Sequence, residues 1–158
     1  MKKRTKYRPR PLLLNPIGYV LGGFEPMRAH KSQLLDLKLK NHDALTNLTR
    51  GVATRDDIDV LVEMFNTTRA LWILGFGAEY ADELKAGFDS LSAVKNRGAE
   101  SGKFVLKSEE MNAINLIAEL HDAQMEVITI GDLEKALKIV RGELASNRTK
   151  TIKDKSNG

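Results

Sequence analysis

The sequence predicts an all-α protein: a single helical bundle of five or six helices with extended basic termini. Three observations carry this expectation. Apolar residues recur at three- and four-residue spacings through long segments, the period of helices with one buried face. Capping residues and glycine or proline breaks punctuate those segments at short intervals. Only Lys103-Phe104-Val105-Leu106 has the β-branched and aromatic character of an extended piece, and one such piece cannot make a sheet. At 158 residues, with 42% hydrophobic and 29% charged side chains, the chain suits one core rather than two.

The elements follow in order. Residues 1–14 form a basic arm that Arg8-Pro9-Arg10-Pro11 keeps extended, because proline fixes its own φ and moves the preceding residue out of the α region. Asn15 and Pro16 then suit an N-cap and first helical position, for a short helix to about Leu21 that Gly22-Gly23 stops. After Pro26, a long helix from about Met27 to Arg50 is expected, with Leu34, Leu37, Leu45 and Leu48 inward, a kink near Asn41 and Gly51 as its stop. Thr54 with Asp56-Asp57 opens the next helix, whose stripe is Ile58, Leu61, Val62, Phe65 and Trp72; Gly75 and Gly77 break it. Within that helix Asn66-Thr67-Thr68 is expected to face solvent.

A fourth helix should run from about Ala78 to Arg97, with Leu84, Phe88, Leu91 and Val94 inward and Gly98 as its stop. Ser108 with Glu109-Glu110 starts a fifth, carrying the stripe Met111, Ile114, Ile117, Ala118, His121, Met125 and Ile128. Thr129 caps the last, through about Ala145, with Leu133, Leu137, Val140 and Leu144 inward; residues 147–158 are expected to be a flexible basic tail. The helical domain thus spans 15–146, with short connections that favour antiparallel neighbours.

Charge is divided unevenly along this plan. The chain carries +4 overall, residues 1–10 carry +6 and residues 147–158 carry +3, so residues 11–146 carry −5. Lys2, Lys3, Arg4, Lys6, Arg8 and Arg10 could therefore meet nucleic-acid phosphates, an acidic protein surface or anionic lipid, since each releases counterions. The run Leu12-Leu13-Leu14 with Ile17, Val20 and Leu21 superficially copies a secretory leader, but Asn15-Pro16, Gly18 and Gly22-Gly23 interrupt it, and a cytoplasmic location is expected. No apolar run is long enough for a membrane span.

The composition also removes chemistry. With no cysteine there are no disulfides, thiolate zinc sites, iron–sulfur clusters or cysteine nucleophiles. Aromatic residues, at 6%, are too few for a stacking groove. Gly98, Gly102 and Lys103 imitate a phosphate loop, but the spacing is one residue short and Phe104 stands where a hydroxyl must ligate magnesium. No catalytic, cofactor or metal residues are therefore assigned.

What remains is a pair of His-Asp dipeptides, His42-Asp43 and His121-Asp122. With His30 they could in principle hold a metal for phosphate-ester hydrolysis. The stronger expectation is a structural polar network of Asn41, His42, Asp43, His121 and Asp122, because His121 falls on the apolar stripe of its helix. Asp43 is the first candidate partner for His121, with Asn41 or a backbone carbonyl as alternatives; without a charged partner, burial should depress the imidazole pKa.

Four segments carry a wider resemblance: Arg8-Pro9-Arg10-Pro11-Leu12-Leu13-Leu14-Asn15-Pro16, Lys40-Asn41-His42-Asp43-Ala44-Leu45, Leu74-Gly75-Phe76-Gly77 and Glu119-Leu120-His121-Asp122-Ala123-Gln124. In these the chain, over most of residues 6–145, resembles a group of short uncharacterised proteins carried by proteobacterial phages and prophages. The resemblance implies a mobile-element context in a bacterial host and carries over no activity. The function expected is a non-enzymatic protein-interaction or regulatory module, needing no cofactor and binding a host or phage protein or a second copy of itself. A nucleic-acid-associated protein anchored by the basic arm is the alternative, and a metal-dependent phosphohydrolase on the two His-Asp pairs the second.

Overall fold

The structure, a computed structural model, describes residues 23–156, with side chains described through Asn147. The arm of residues 1–14 with its six cations and the short helix expected over 15–21 lie outside the described residues. Five α-helices account for the remainder: α1 (Lys31–Thr49), α2 (Arg55–Ile73), α3 (Ala81–Ser101), α4 (Ser108–Val127) and α5 (Ile130–Ser156). No strand occurs among the described residues, so the all-α bundle read from periodicity is the fold. Helix α2 is its hub and packs against all four others, while α4 also packs on α1 and α3.

The caps explain where helices begin. The Thr54 N–H donates to Asp57 Oδ2 at 2.8 Å and the Asp57 N–H to Thr54 Oγ1 at 3.3 Å, a reciprocal pair that satisfies two donors at the start of α2. That backbone bond holds the Asp57 carboxyl below its usual range, against the opposing effect of burial. Thr129 and Asp132 repeat the arrangement at the start of α5, at 2.9 and 3.1 Å. At α4 the Lys107 N–H donates to Glu110 Oε2 at 3.0 Å. Glu110 also pairs with Arg97 of α3, and that hydrogen bond is the largest cause lowering the Glu110 pKa.

Several expectations need correction. The second predicted helix does not start at Met27: Met27–Ala29 is a single 3₁₀ turn, and α1 begins at Lys31 and continues without a break through Asn41. The reason is tertiary, because the Met27 N–H bonds to the Ile128 carbonyl and the Ile130 N–H to the Glu25 carbonyl, holding this stretch against the α4–α5 junction. Gly98 does not end α3. It lies buried inside the helix, where a Cβ would come 2.2 Å from the Phe104 ring, and the helix ends instead at Gly102 with φ +75°. Likewise α5 does not stop at Ala145 but runs to Ser156.

The core divides into two apolar clusters. The larger joins Leu45 and Leu48 of α1, Ile58, Leu61 and Phe65 of α2, Leu84, Leu91 and Val94 of α3, and Ile114 and Ile117 of α4. The smaller joins Met27, Leu34, Ala70, Leu71, Met125, Ile128 and Ala136. Between these two sets, along each helix concerned, falls a buried polar residue: Asn41 on α1, Thr68 on α2, His121 and Gln124 on α4. Three helices thus place a polar layer between two apolar ones.

Candidate functional site: the polar layer and its two flanks

His121 stands at the centre of this layer, 2% exposed. Its Nδ1 lies 3.1 Å from Thr68 Oγ1, whose own hydrogen is donated to the Met64 carbonyl at 2.8 Å. A hydroxyl has one hydrogen, so His121 Nδ1–H must be the donor to Thr68, and Nε2 is left with its lone pair. Burial pushes the imidazole down to about 4, an effect that the nearby Asp122 opposes and that His42 and Lys38 reinforce. The ring is consequently neutral at neutral pH.

Gln124 completes the buried side of the layer. Its Nε2 donates to the Thr68 carbonyl at 3.1 Å and to the Phe76 carbonyl at 3.0 Å, tying α4 to α2 and to the turn after it. Neither Thr68 nor Gln124 is in the predicted network, and the solvent-facing assignment of Thr68 is wrong, since the residue is fully buried. The signal was present in the spacing Leu61, Phe65, Thr68, which continues the stripe of α2, and in Ile117, His121, Gln124, which continues that of α4.

Of the predicted network, the structure brings His42 and Asp122 together. His42 Nε2 donates to Asp122 Oδ2 at 2.7 Å, bridging α1 and α4 at the surface edge of the layer. Asn41 is buried, but Asp43 is exposed and does not partner His121; one residue along a helix turns a side chain by about 100°. His30 sits beside Glu25, with 3.2 Å between Nε2 and Oε2. Among the described residues no group of three or more His, Asp or Glu side chains comes together to hold a metal ion.

Two surfaces flank the layer. On one side α1, α2 and α5 enclose a groove of about 880 Å³, lined by Leu37, Val62, Met125, Leu133, Leu137 and Val140, by the buried polar Asn41 and His121, and by the charged Lys40, Asp59 and Glu63. The predicted inward face of α5 holds at Leu133 and Val140, which pack half-buried against the smaller cluster beside the fully buried Ala136, and fails at its far end, where Leu144 is 48% exposed; Leu137 is half-buried along the groove. On the other side, the outer face of α1 presents Leu35 and Leu39, 56% and 52% exposed, with Arg28, Lys31 and Lys38 beside Leu35. Lys38 reaches Glu126 of α4 at 2.6 Å, while no ion pair engages Arg28 or Lys31 among the described residues.

Comparison with protein-family models, with curated proteins and with solved structures finds no match. Among the described residues no helix is long and apolar enough to cross a membrane.

Proposed function

We propose that the chain is a non-enzymatic protein-interaction module of phage or prophage type, and that the outer face of α1 docks a host or phage protein. The observation that carries this reading is the pair Leu35 and Leu39, one helical turn apart and each more than half exposed. Single exposed leucines are ordinary, but two at i and i+4 make a stripe that a partner helix can cover. At its Leu35 end the stripe is bordered by Arg28, Lys31 and Lys38 against the carboxylate of Glu126, while exposed Asp36 and Asp43 stand three and four residues from Leu39. An apolar stripe that is basic at its Leu35 end and acidic at its Leu39 end fits an amphipathic helix of the opposite charge order, where the leucines supply affinity and the charges supply orientation and on-rate.

The test uses the full chain and a variant carrying Leu35→Asp and Leu39→Asp. Both positions are exposed and each substitution should cost no more than about 0.5 kcal/mol, so the variant should melt within about 4 °C of the wild type and remain folded. A protein captured from bacterial lysate by the wild type must be lost by the variant and must bind the purified wild type directly. If capture is unaffected, and the chain instead binds duplex DNA with an affinity falling several decades per decade of salt, the nucleic-acid reading replaces this one.

A further inference from the structure

The lining of the groove between α1, α2 and α5 includes two polar side chains whose hydrogen bonding is unfinished. His121 and Asn41 both line it, at 2% and 4% exposure, and each keeps one buried nitrogen without a hydrogen-bond partner among the described residues: Nε2 of His121 and Nδ2 of Asn41. Leaving a buried polar group unpaired costs about 1–3 kcal/mol, so two in the lining of one cavity require an account. Thr68 fixes their character. Because His121 Nδ1–H is given to Thr68, Nε2 can only accept, whereas the Asn41 amide nitrogen can only donate.

We propose that this groove is a binding site for a small uncharged amphiphile, an apolar chain ending in a primary amide or an alcohol, whose polar end satisfies His121 Nε2 and Asn41 Nδ2 together. The donor and acceptor identities select the class. A carboxylate presents only acceptors and would set a charge against the His121 lone pair. An ammonium presents only donors and would leave Asn41 unanswered. A primary amide or a hydroxyl both donates and accepts, and carries no charge into a site whose own imidazole is neutral. Of the three charged side chains that line the groove, Lys40 and Glu63 are engaged with one another at 3.3 Å, and Asp59 adds a carboxylate that sets a further charge against an anionic ligand.

The body of the site suits the remainder of such a molecule. Its volume, about 880 Å³, lies within the range of small-molecule pockets, roughly 300–1,000 Å³. Leu37, Val62, Met125, Leu133, Leu137 and Val140 supply apolar lining, with Asn66 and Thr67 of α2 among them, and methionine adapts to a chain of variable shape. A water molecule could answer the same two nitrogens, and so could a second copy of the chain laid along α5. Both are outcomes of the experiment.

The experiment is an NMR titration of the isotopically labelled full chain with hexanamide, hexanoate and hexylamine, observing the Leu137 and Val140 methyls and the His121 Nε2 nitrogen. Hexanamide should move the methyls and the Nε2 resonance in parallel, and should bind about fivefold to tenfold more tightly than either charged probe, the worth of one or two net hydrogen bonds. Asn41→Leu should abolish the preference for the amide while leaving the methyl response. Should that variant fail to fold, the Nε2 response of the wild type decides alone.

Methyl shifts without any Nε2 shift, and without preference for the amide, would show that water keeps the two nitrogens, and would overturn the proposal. So would the absence of any methyl shift, or a methyl shift that depends on protein concentration alone, which would assign the groove to a second copy. The site does not depend on the docking face of α1, and the variant with Leu35→Asp and Leu39→Asp should bind hexanamide as the wild type does.

Discussion

The two apolar clusters bury their residues in different ways. In the larger, big side chains from four helices meet face to face: Phe65 is fully buried and stands edge-on to Phe88, ring centroids 5.4 Å apart at 72°. Helix α3 contributes Gly87 at this contact, so that Ile117 can reach the space where a Cβ would lie. In the smaller, α5 contributes only Ala136 as a fully buried residue; Leu133 and Val140 pack against the cluster half-buried, and with Leu137 and Leu144 they also line an open groove. Filled space and available surface are therefore segregated: the large cluster holds the bundle together, and the side of α5 is left to meet something else. The polar layer marks the border.

The largest test of that segregation is Phe65→Ala. Removing a fully buried phenylalanine from a close-packed cluster should cost about 3–5 kcal/mol, read as a lower midpoint in chemical denaturation with an unchanged slope. A loss under about 1 kcal/mol would mean that the large cluster is loosely filled and the contrast false.

The polar layer can be tested by pH. The folded pKa of His121, about 4, lies below the unfolded value near 6.5, so the folded state resists protonation. Its contribution to stability is fully present above pH 6.5, declines as pH falls from there toward 4, and levels off below. The full swing is of order 3 kcal/mol by linkage. Thermal melts of the wild type and of His121→Gln across this range should converge toward acid, because the glutamine variant has no such group to protonate. Melting curves that stay parallel would place the ring in solvent.

A smaller effect is expected where the chain has no room. Gly87→Ala would normally gain up to about 1 kcal/mol in helix propensity. Here its Cβ would come 2.3 Å from Ile117 Cγ1, and Ile117 is fully buried. Overpacking should outweigh the propensity gain and leave a net loss of about 1 kcal/mol. A stabilised variant would show that α3 and α4 can separate, and that the large cluster is softer than its burial suggests.

How much of this was legible depends on which interaction decides each position. The starts of α2 and α5 are decided within four residues, by Thr54 with Asp57 and by Thr129 with Asp132, and the sequence located both. The burial of His121 followed from its stripe alone. Gly98 was misread as a stop because its reason is the Phe104 ring, six residues away and beyond the helix. The start of α1 was misplaced because the Ile128 carbonyl, about a hundred residues away in sequence, holds the Met27 N–H. Thr68 escaped because a polar residue was assigned outward by type although its spacing placed it inward. The groove could not be read at all: periodicity tells which face of a helix is apolar, and not whether the neighbours close over it.

That last distinction yields the smallest and most discriminating prediction. By periodicity, Leu133, Leu137, Val140 and Leu144 form the core face of α5, and deleting a core leucine costs about 2–5 kcal/mol. In the folded chain Leu144 is 48% exposed at the groove, so Leu144→Ala should change stability by no more than about 0.5 kcal/mol. Ala136, which the stripe omits, is fully buried, and Ala136→Leu should cost about 1–3 kcal/mol by overpacking although it adds apolar surface. The two substitutions are measured side by side by denaturant titration. If removing the leucine proves costly and enlarging the alanine harmless, α5 packs in the register that its sequence suggests, the groove is filled by its own leucines, and the open side of the bundle is lost.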